Sequence, residues 1–136
     1  MPKTKTFVDS NVLITAFQGT NEVWQKAMEI IDDPEREFIV SDYLKLEVVP
    51  QPTFHQRHSE IQFMQTFLDS ATVYARANGQ ITNEALTLAC RYSLGAMDAL
   101  HAGTAILLKA DELITLEKPE KPLCQIKEIQ VVSLRS

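Results

Sequence analysis

The chain has 136 residues, of which 45% are hydrophobic and 23% are charged. This balance excludes intrinsic disorder and fits one folded domain over residues 1–136. Thirteen basic and 18 acidic residues give a formal net charge of −5. The acidic excess argues against a protein that holds nucleic acid through clustered Lys and Arg alone, but it leaves room for an enzyme that meets nucleic acid through metal ions.

The first half of the chain alternates strand-like and helix-like segments. A β-prone run at Thr4–Val8 is followed by Asp9-Ser10-Asn11, residue types that cap helix N-termini. The elements predicted after this cap are helices at 12–17 and 22–31, a strand at 37–40 and a helix at 43–49.

The second half continues the alternation after Pro50 and Pro52, which are expected to end the preceding helix. The elements predicted there are a helix at 53–68, a strand at 72–74, helices at 82–93 and 96–109, a strand at 112–115 and an edge strand at 129–134. Short strands that alternate with helices predict an α/β domain. Its central sheet should be twisted, mostly parallel and made of four or five short strands flanked by helices.

Neither a targeting segment nor a membrane span is expected. The most apolar helix candidate, residues 96–110, is too short to cross a bilayer. Cys90 and Cys124 are expected to be ordinary thiols in a reducing compartment. We therefore expect a soluble cytoplasmic protein.

Three acidic residues stand near predicted strand ends or apolar helix faces. Asp9 follows the first strand, at the sheet edge where open α/β folds bind ligands, although an aspartate there is also an ordinary helix cap. Glu47 shares a helix face with Leu44, and it either contributes to a site or reaches into solvent. Glu117 follows the strand at 112–115, and on local evidence alone a solvated loop glutamate is the favoured interpretation.

Asp98 gives the strongest signal of the acidic residues. Its helix is apolar nearly all round, which predicts a central, buried position. A buried ionised carboxylate is costly unless it is paired, hydrogen-bonded or bound to metal. A helix N-terminus stabilises such a charge by only about 0.3–1 kcal/mol. A cation is the simplest further compensation, and a hydrogen bond or an ion pair with an arginine is the alternative.

Together these acids can converge on one edge of a parallel sheet. Three or four carboxylates at close range raise each other's pKa, so they need cations to stay ionised. Oxygen ligands favour hard cations, which indicates Mg²⁺ or Mn²⁺.

Several stretches resemble a PIN domain over nearly the whole chain. They are Phe7-Val8-Asp9-Ser10-Asn11, Glu47 in its helix, the run from Asp98 to Ala105 that begins Asp-Ala-Leu-His, and residues 110–117. The resemblance implies a metal-dependent endoribonuclease that hydrolyses RNA phosphodiester bonds. It also implies a possible toxin of the VapC type, which an antitoxin protein holds inactive, and a homodimer.

The resemblance also implies roles for individual residues. Asp9, Glu47 and Asp98 would be catalytic acids and metal ligands. Glu117 would be a further metal ligand at a position where the family usually has Asp. Thr115 would match the polar residue after the last core strand, and Asn11 would hold the first acid or a metal-bound water.

Three basic residues near these acids are weighed separately. His101 lies one helical turn after Asp98 and shares its face. It could orient Asp98 or touch substrate, but a hydrogen-bonded core histidine is the favoured interpretation. Lys118 and Lys121 flank Glu117 closely and are candidate ligands for substrate phosphates.

Two alternatives to a nuclease remain open at this point. The first is a PIN-fold binding module with weak or no catalysis that acts through a protein or RNA partner, and Glu117 in place of Asp is its main support. The second is a phosphatase with Asp9 as covalent nucleophile. It ranks last, because such enzymes usually carry another Asp where this chain has Asn11.

Overall fold

Strands and helices alternate along residues 2–20 and 22–135, which the structure, a computed structural model, describes. The strands are β1 (Thr4–Val8), β2 (Arg36–Ser41), β3 (Val73–Ala75), β4 (Glu112–Thr115) and β5 (Gln130–Ser133). The α-helices are α1 (Ser10–Gln18), α2 (Trp24–Ile31), α3 (Asp42–Val48), α4 (Pro50–Phe54), α5 (His58–Ser70), α6 (Gly79–Tyr92) and α7 (Ala96–Leu107). A short 3-10 helix covers Pro122–Gln125.

The five strands form one sheet in the order β3-β2-β1-β4-β5, and every neighbouring pair is parallel. This arrangement confirms the predicted α/β class with a parallel sheet and places β5 at an edge, as predicted. Strand β1 is central, and its last residues, Phe7 and Val8, are fully buried. Val8 is in register with Ile114 of β4. The carboxyl ends of β1 and β4 therefore lie side by side.

The predicted helix at 53–68 is wrong, because two helices occupy this region. Pro50 stands in the first turn of α4, where its missing N–H is not needed, so the proline begins a helix instead of only ending one. Gln56 then adopts a left-handed backbone conformation with φ 54°, which ends α4 and redirects the chain into α5. The start of α6 is also earlier than predicted, because the side chain of Asn78, not Thr82, caps it by accepting a hydrogen bond from the Ile81 backbone N–H at 2.9 Å.

Both cysteines are free thiols. Among the described residues, the helices are all too short or too polar to cross a membrane.

Helices α6 and α7 pack against each other at a glycine. A Cβ added at Gly103 of α7 would lie 3.2 Å from the backbone nitrogen of Ala85 and 3.4 Å from the carbonyl oxygen of Ile81. Both neighbouring atoms belong to the backbone of α6, which cannot move independently of its helix. The absence of a side chain at Gly103 therefore sets the position of α7, the helix that carries Asp98 and His101.

We expect Gly103→Ala to lower the free energy of unfolding by up to about 2 kcal/mol. Overpacking against a rigid neighbour costs about 1–3 kcal/mol, and the better helix propensity of alanine offsets about 1 kcal/mol of it. Urea unfolding measures the difference. The matched control is Gly79→Ala, because a Cβ at Gly79 would meet nothing within 4 Å. Equal stability of the two variants would contradict this packing.

Candidate metal centre

Asp9 is the buried carboxylate at the carboxyl end of β1, with 4% of its surface exposed. Its backbone N–H donates to the Ile114 carbonyl at 2.9 Å, which ties the residue to β4. The carboxylate accepts a hydrogen bond from the Ser10 backbone N–H at 2.8 Å and another from the Thr115 hydroxyl at 3.0 Å. Burial raises the pKa of Asp9, while the nearby His101 and these two hydrogen bonds oppose the rise. Asp9 thus caps α1 and also presents a confined negative charge.

Glu47 of α3 and His101 of α7 meet beside Asp9. The Nε2 atom of His101 lies 2.5 Å from Oε1 of Glu47 and 4.0 Å from Oδ1 of Asp9. The hydrogen bond from His101 is the main cause that holds the pKa of Glu47 below its usual value. One ligand atom from each of these three side chains lies within 4.8 Å of the other two. Three elements distant in sequence therefore bring their polar groups to one place.

The second ring nitrogen of His101 indicates how this histidine acts. His101 is 1% exposed, its ring packs against Phe7 with centroids 5.4 Å apart, and its Nδ1 has no hydrogen-bond partner among the described residues. A histidine that binds metal normally donates its other ring N–H to an acceptor. We therefore assign the proton to Nε2, which donates to Glu47. In this tautomer His101 donates to Glu47 and fixes the position of that carboxylate.

Asp98 lies one turn before His101, in the first turn of α7. The expectation of a buried Asp98 is wrong: the residue is half-buried in the first turn of α7, whereas Ala99 and His101 are buried. Burial nevertheless raises the pKa of Asp98 to about 6, and the negative charges of Asp9, Glu117 and Glu47 add to the rise. The Asp98 carboxylate thus shares an electrostatic environment with the three other acids.

The loop after β4 joins this group through Thr115. Its hydroxyl donates to Asp9 and accepts from the Glu117 backbone N–H at 3.1 Å. Asn11 was expected to hold Asp9 or a metal-bound water. In the structure its side-chain oxygen accepts from the Leu116 backbone N–H at 3.3 Å. Asn11 therefore fixes the loop that carries Glu117.

The sequence analysis missed Ser10. A hydrogen bond from its side chain contributes to the lowered pKa of Glu47. Ser10 stands between Asp9 and Asn11, in a run that the sequence marks as a helix cap and as part of the PIN resemblance without giving Ser10 a role of its own. A capping segment at the carboxyl end of a strand also faces the sheet edge where ligands bind, and this position could have identified Ser10.

The two predicted phosphate-binding lysines lie in different surroundings. Lys118 lines a cavity of about 420 Å³ next to the loop that carries Glu117. Lys121 is exposed, precedes the 3-10 helix, and does not line this cavity.

A buried acid elsewhere in the fold shows what a purely structural carboxylate looks like. Glu112 is 8% exposed, and it accepts from the Arg36 guanidinium at 2.8 Å and from the Thr6 hydroxyl at 2.7 Å. By contrast, across residues 2–20 and 22–135 no Lys or Arg forms an ion pair with the acids of the site. These acids, Asp9, Glu47, Asp98 and Glu117, supply hard oxygen donors whose charge is largely uncompensated. Such a donor set fits a divalent cation.

The chain belongs to the PIN domain family, since the model of that family matches residues 6–118. The match runs from β1 to Lys118 and includes the four acids of the site. No curated protein matches the sequence.

Solved structures share the same fold at low sequence identity. A chain of VapBC2 from Rickettsia felis, bound to a promoter DNA fragment, gives a TM-score of 0.71 at 14% identity, covering 94% of this chain and 97% of that one. A toxin–antitoxin complex from Klebsiella pneumoniae gives 0.69 at 22%, covering 95% and 97%. DNA-bound VapBC from Salmonella typhimurium gives 0.71 at 13%, covering 96% and 98%.

The raised pKa of Asp98 predicts that Asp98→Asn stabilises the metal-free protein at neutral pH. Below the ordinary value of 3.8 the carboxyl is protonated in the folded and the unfolded chain. Between pH 3.8 and about 6 the carboxyl is ionised in the unfolded chain but still protonated in the folded chain, so wild-type stability falls over this range and levels off above it. At pH 7 in EDTA the variant should gain about 1 kcal/mol, because solvent screens a half-buried carboxylate.

Thermal unfolding across pH 3 to 8 measures this gain. Asp69→Asn, at an exposed position of α5, is the matched control and should show no comparable pH-dependent gain. A constant difference between Asp98→Asn and wild type at all pH values would contradict the assignment.

Proposed function

We propose that the protein is a metal-dependent endoribonuclease that hydrolyses RNA phosphodiester bonds, in one catalytic domain over residues 1–136. The cation is Mg²⁺ or Mn²⁺, and Asp9, Glu47, Asp98 and Glu117 would hold it. The supporting observation is that these four acids share one sheet edge with no Lys or Arg ion pair among the described residues. Burial, together with the charges of Asp9, Glu117 and Glu47, raises the pKa of Asp98 to about 6. A divalent cation relieves this repulsion, and a phosphodiester supplies the anion that such a centre acts on.

When bound, the cation lowers the pKa of a water molecule and neutralises charge on the phosphate. The protein's own residues preorganise the centre. Thr115 and the Ser10 backbone N–H fix both oxygens of Asp9, so this carboxylate has one orientation. His101 holds one oxygen of Glu47 and leaves the other available. Because these supports sit on strands and helices, the ligand positions are set before substrate arrives.

His101 is a positioning residue in this scheme. It contacts Glu47, and its Nδ1 faces apolar surroundings near Phe7. Hydrolysis then needs no serine, cysteine or histidine nucleophile from the protein, and the phosphatase alternative, with Asp9 as nucleophile, has no observation in its favour.

A toxin role in a toxin–antitoxin pair extends the same proposal. Support comes from the similarity to chains of VapBC and toxin–antitoxin complexes over 94–96% of this chain. The partner would be an antitoxin protein that keeps the nuclease inactive in the cytoplasm, and the active form would be a homodimer.

A PIN-fold binding module with little catalysis is the second candidate. The observation that favours it is Glu117, whose side chain is one methylene longer than the Asp usual at this position. Its backbone is held by Thr115 and Ser133, so the longer side chain cannot be compensated by a shift of the loop. A folded chain that cleaves no RNA with either metal would favour this candidate.

The test of the nuclease is cleavage of a panel of structured and single-stranded RNAs with Mg²⁺ or Mn²⁺. We expect Asp9→Asn to lower the cleavage rate by at least about 100-fold, because it removes the negative charge of the carboxylate that Ser10 and Thr115 hold in place. EDTA should abolish cleavage by the wild type.

The matched control is Glu35→Gln, the same carboxylate-to-amide change at an exposed position before β2, at the opposite end of the sheet. It should cleave like the wild type. Cleavage that persists unchanged in Asp9→Asn, or in EDTA, would overturn the proposal.

A further inference from the structure

A cavity of about 420 Å³ is lined by Lys118, the residue that follows Glu117, and is not explained by metal binding. It is built by three segments that are far apart in the sequence: the start of α2 with the residues before it, the loop after β4, and the chain after β5. The lining residues are Glu22, Val23, Lys26, Lys118, Leu134 and Arg135.

Hydrogen bonds connect this cavity to the acidic centre. The Arg135 guanidinium donates through Nε to the Leu116 carbonyl at 2.8 Å, and the Ser133 hydroxyl donates to the Glu117 carbonyl at 2.5 Å. Ser133 at the end of β5 and Arg135 just after it thus hold the two residues that precede Lys118. The loop that carries Glu117 also forms one wall of the cavity, through Lys118.

The cavity concentrates positive charge in an acidic protein. Three cations, Lys26, Lys118 and Arg135, face one acid, Glu22, in a chain whose net charge is −5. Within the described part of the chain, none of the three cations forms an ion pair with a carboxylate. Lys26 makes one long contact, 3.5 Å from its Nζ to the Leu134 carbonyl. Unpaired cations that converge in a concave site favour an anion.

We propose that this cavity binds a backbone phosphate of the RNA strand next to the phosphate that is cleaved. This inference rests on the proposed nuclease function. The lining contains no aromatic side chain, so the site recognises charge and not the stacking of a base. Phosphate contacts of this kind position a strand without reading its sequence. They also offset the repulsion between the strand and the acids next to the cavity.

An acidic peptide offers negative charge too, but RNA fits the location better. The wall of the cavity is the loop that bears Glu117, so an anion bound there lies beside the carboxylates that act on a phosphodiester. A continuous strand of phosphates can occupy both places at once.

The test is binding of a short, fluorescein-labelled single-stranded RNA to the full chain carrying Asp9→Asn, which prevents cleavage. Fluorescence anisotropy over a series of salt concentrations gives the affinity and its salt dependence. Lys26→Gln and Arg135→Gln, each added to this chain, should weaken binding and reduce the slope of log K against log[salt] by about 0.7 each, the value for one phosphate contact on a single strand.

A control variant and a comparison between the two test variants check that the effect is specific to the cavity. Lys5→Gln removes an exposed cation at the opposite end of β1 and should leave affinity and slope unchanged. Arg135→Gln also removes a hydrogen bond to the loop after β4. Lys26 makes no such bond, so a weaker affinity in Lys26→Gln cannot come from a displaced loop. Thermal unfolding confirms that each variant is folded.

An unchanged slope in both Lys26→Gln and Arg135→Gln would overturn the phosphate site. So would tighter binding of hexaglutamate than of RNA with the same dependence on Lys26 and Arg135, since the cavity would then dock an acidic protein segment.

Cleavage by chains with an intact Asp9 separates this proposal from the nuclease. RNA binding that depends on Lys26 and Arg135, without any cleavage, refutes the nuclease and leaves the phosphate site standing. Cleavage with an unchanged KM in both variants refutes the phosphate site alone.

Discussion

The buried carboxylate of Asp9 is the constraint on which the rest of the site depends. Its backbone is paired to β4 through Ile114, and its two oxygens are held by Ser10 and Thr115. The residue therefore cannot move toward solvent to hydrate its charge. Neighbouring groups must adapt to it. His101 lies 4.0 Å from Asp9 and opposes the rise in its pKa, but burial is the larger effect and the pKa of Asp9 stays raised. A fixed, poorly compensated charge at a sheet edge is what makes this place suited to a cation.

The fold uses two different solutions for buried acids. At the amino end of β4, Arg36 neutralises Glu112 and the Thr6 hydroxyl donates a hydrogen bond to it, while Arg36 also contacts Asp33. At the carboxyl end, the acids have hydrogen-bond donors but no arginine or lysine among their described ion pairs. Hydrogen bonds from neutral donors orient a carboxylate, whereas an ion pair also neutralises its charge. The acids at the carboxyl end of the sheet are therefore oriented but keep a net negative charge, as a metal centre requires.

Much of the fold could be predicted because its signals are local. Strands β1 and β4 end at the predicted residues, since apolar runs followed by capping or loop residues mark these ends. Parallel pairing then brings Asp9 and the loop with Glu117 to the same edge. The break between α4 and α5 was missed, because Gln56 takes a left-handed conformation that its residue type does not announce.

The contacts within the site could not be predicted, because they depend on side-chain packing between distant elements. The sequence favoured a hydrogen-bonded core histidine at position 101, with Asp98 or substrate as alternative partners, but it could not show that the buried ring contacts Glu47 of α3. Asn11 binds the backbone of Leu116 and not its neighbour Asp9. Asp98 is half-buried in the first turn of α7, although its helix is apolar nearly all round. The basic cavity joins Lys26 to Arg135 across more than a hundred residues, a proximity that no sequence motif encodes.

The most direct test of the account is Mn²⁺ binding at neutral pH, measured by isothermal titration calorimetry on the wild type and on Asp9→Asn. If the acids share one centre that needs a cation, the wild type binds Mn²⁺ and the variant binds it at least about 10-fold more weakly. A wild type that is folded but does not bind Mn²⁺, or a variant that binds it equally well, would contradict the account.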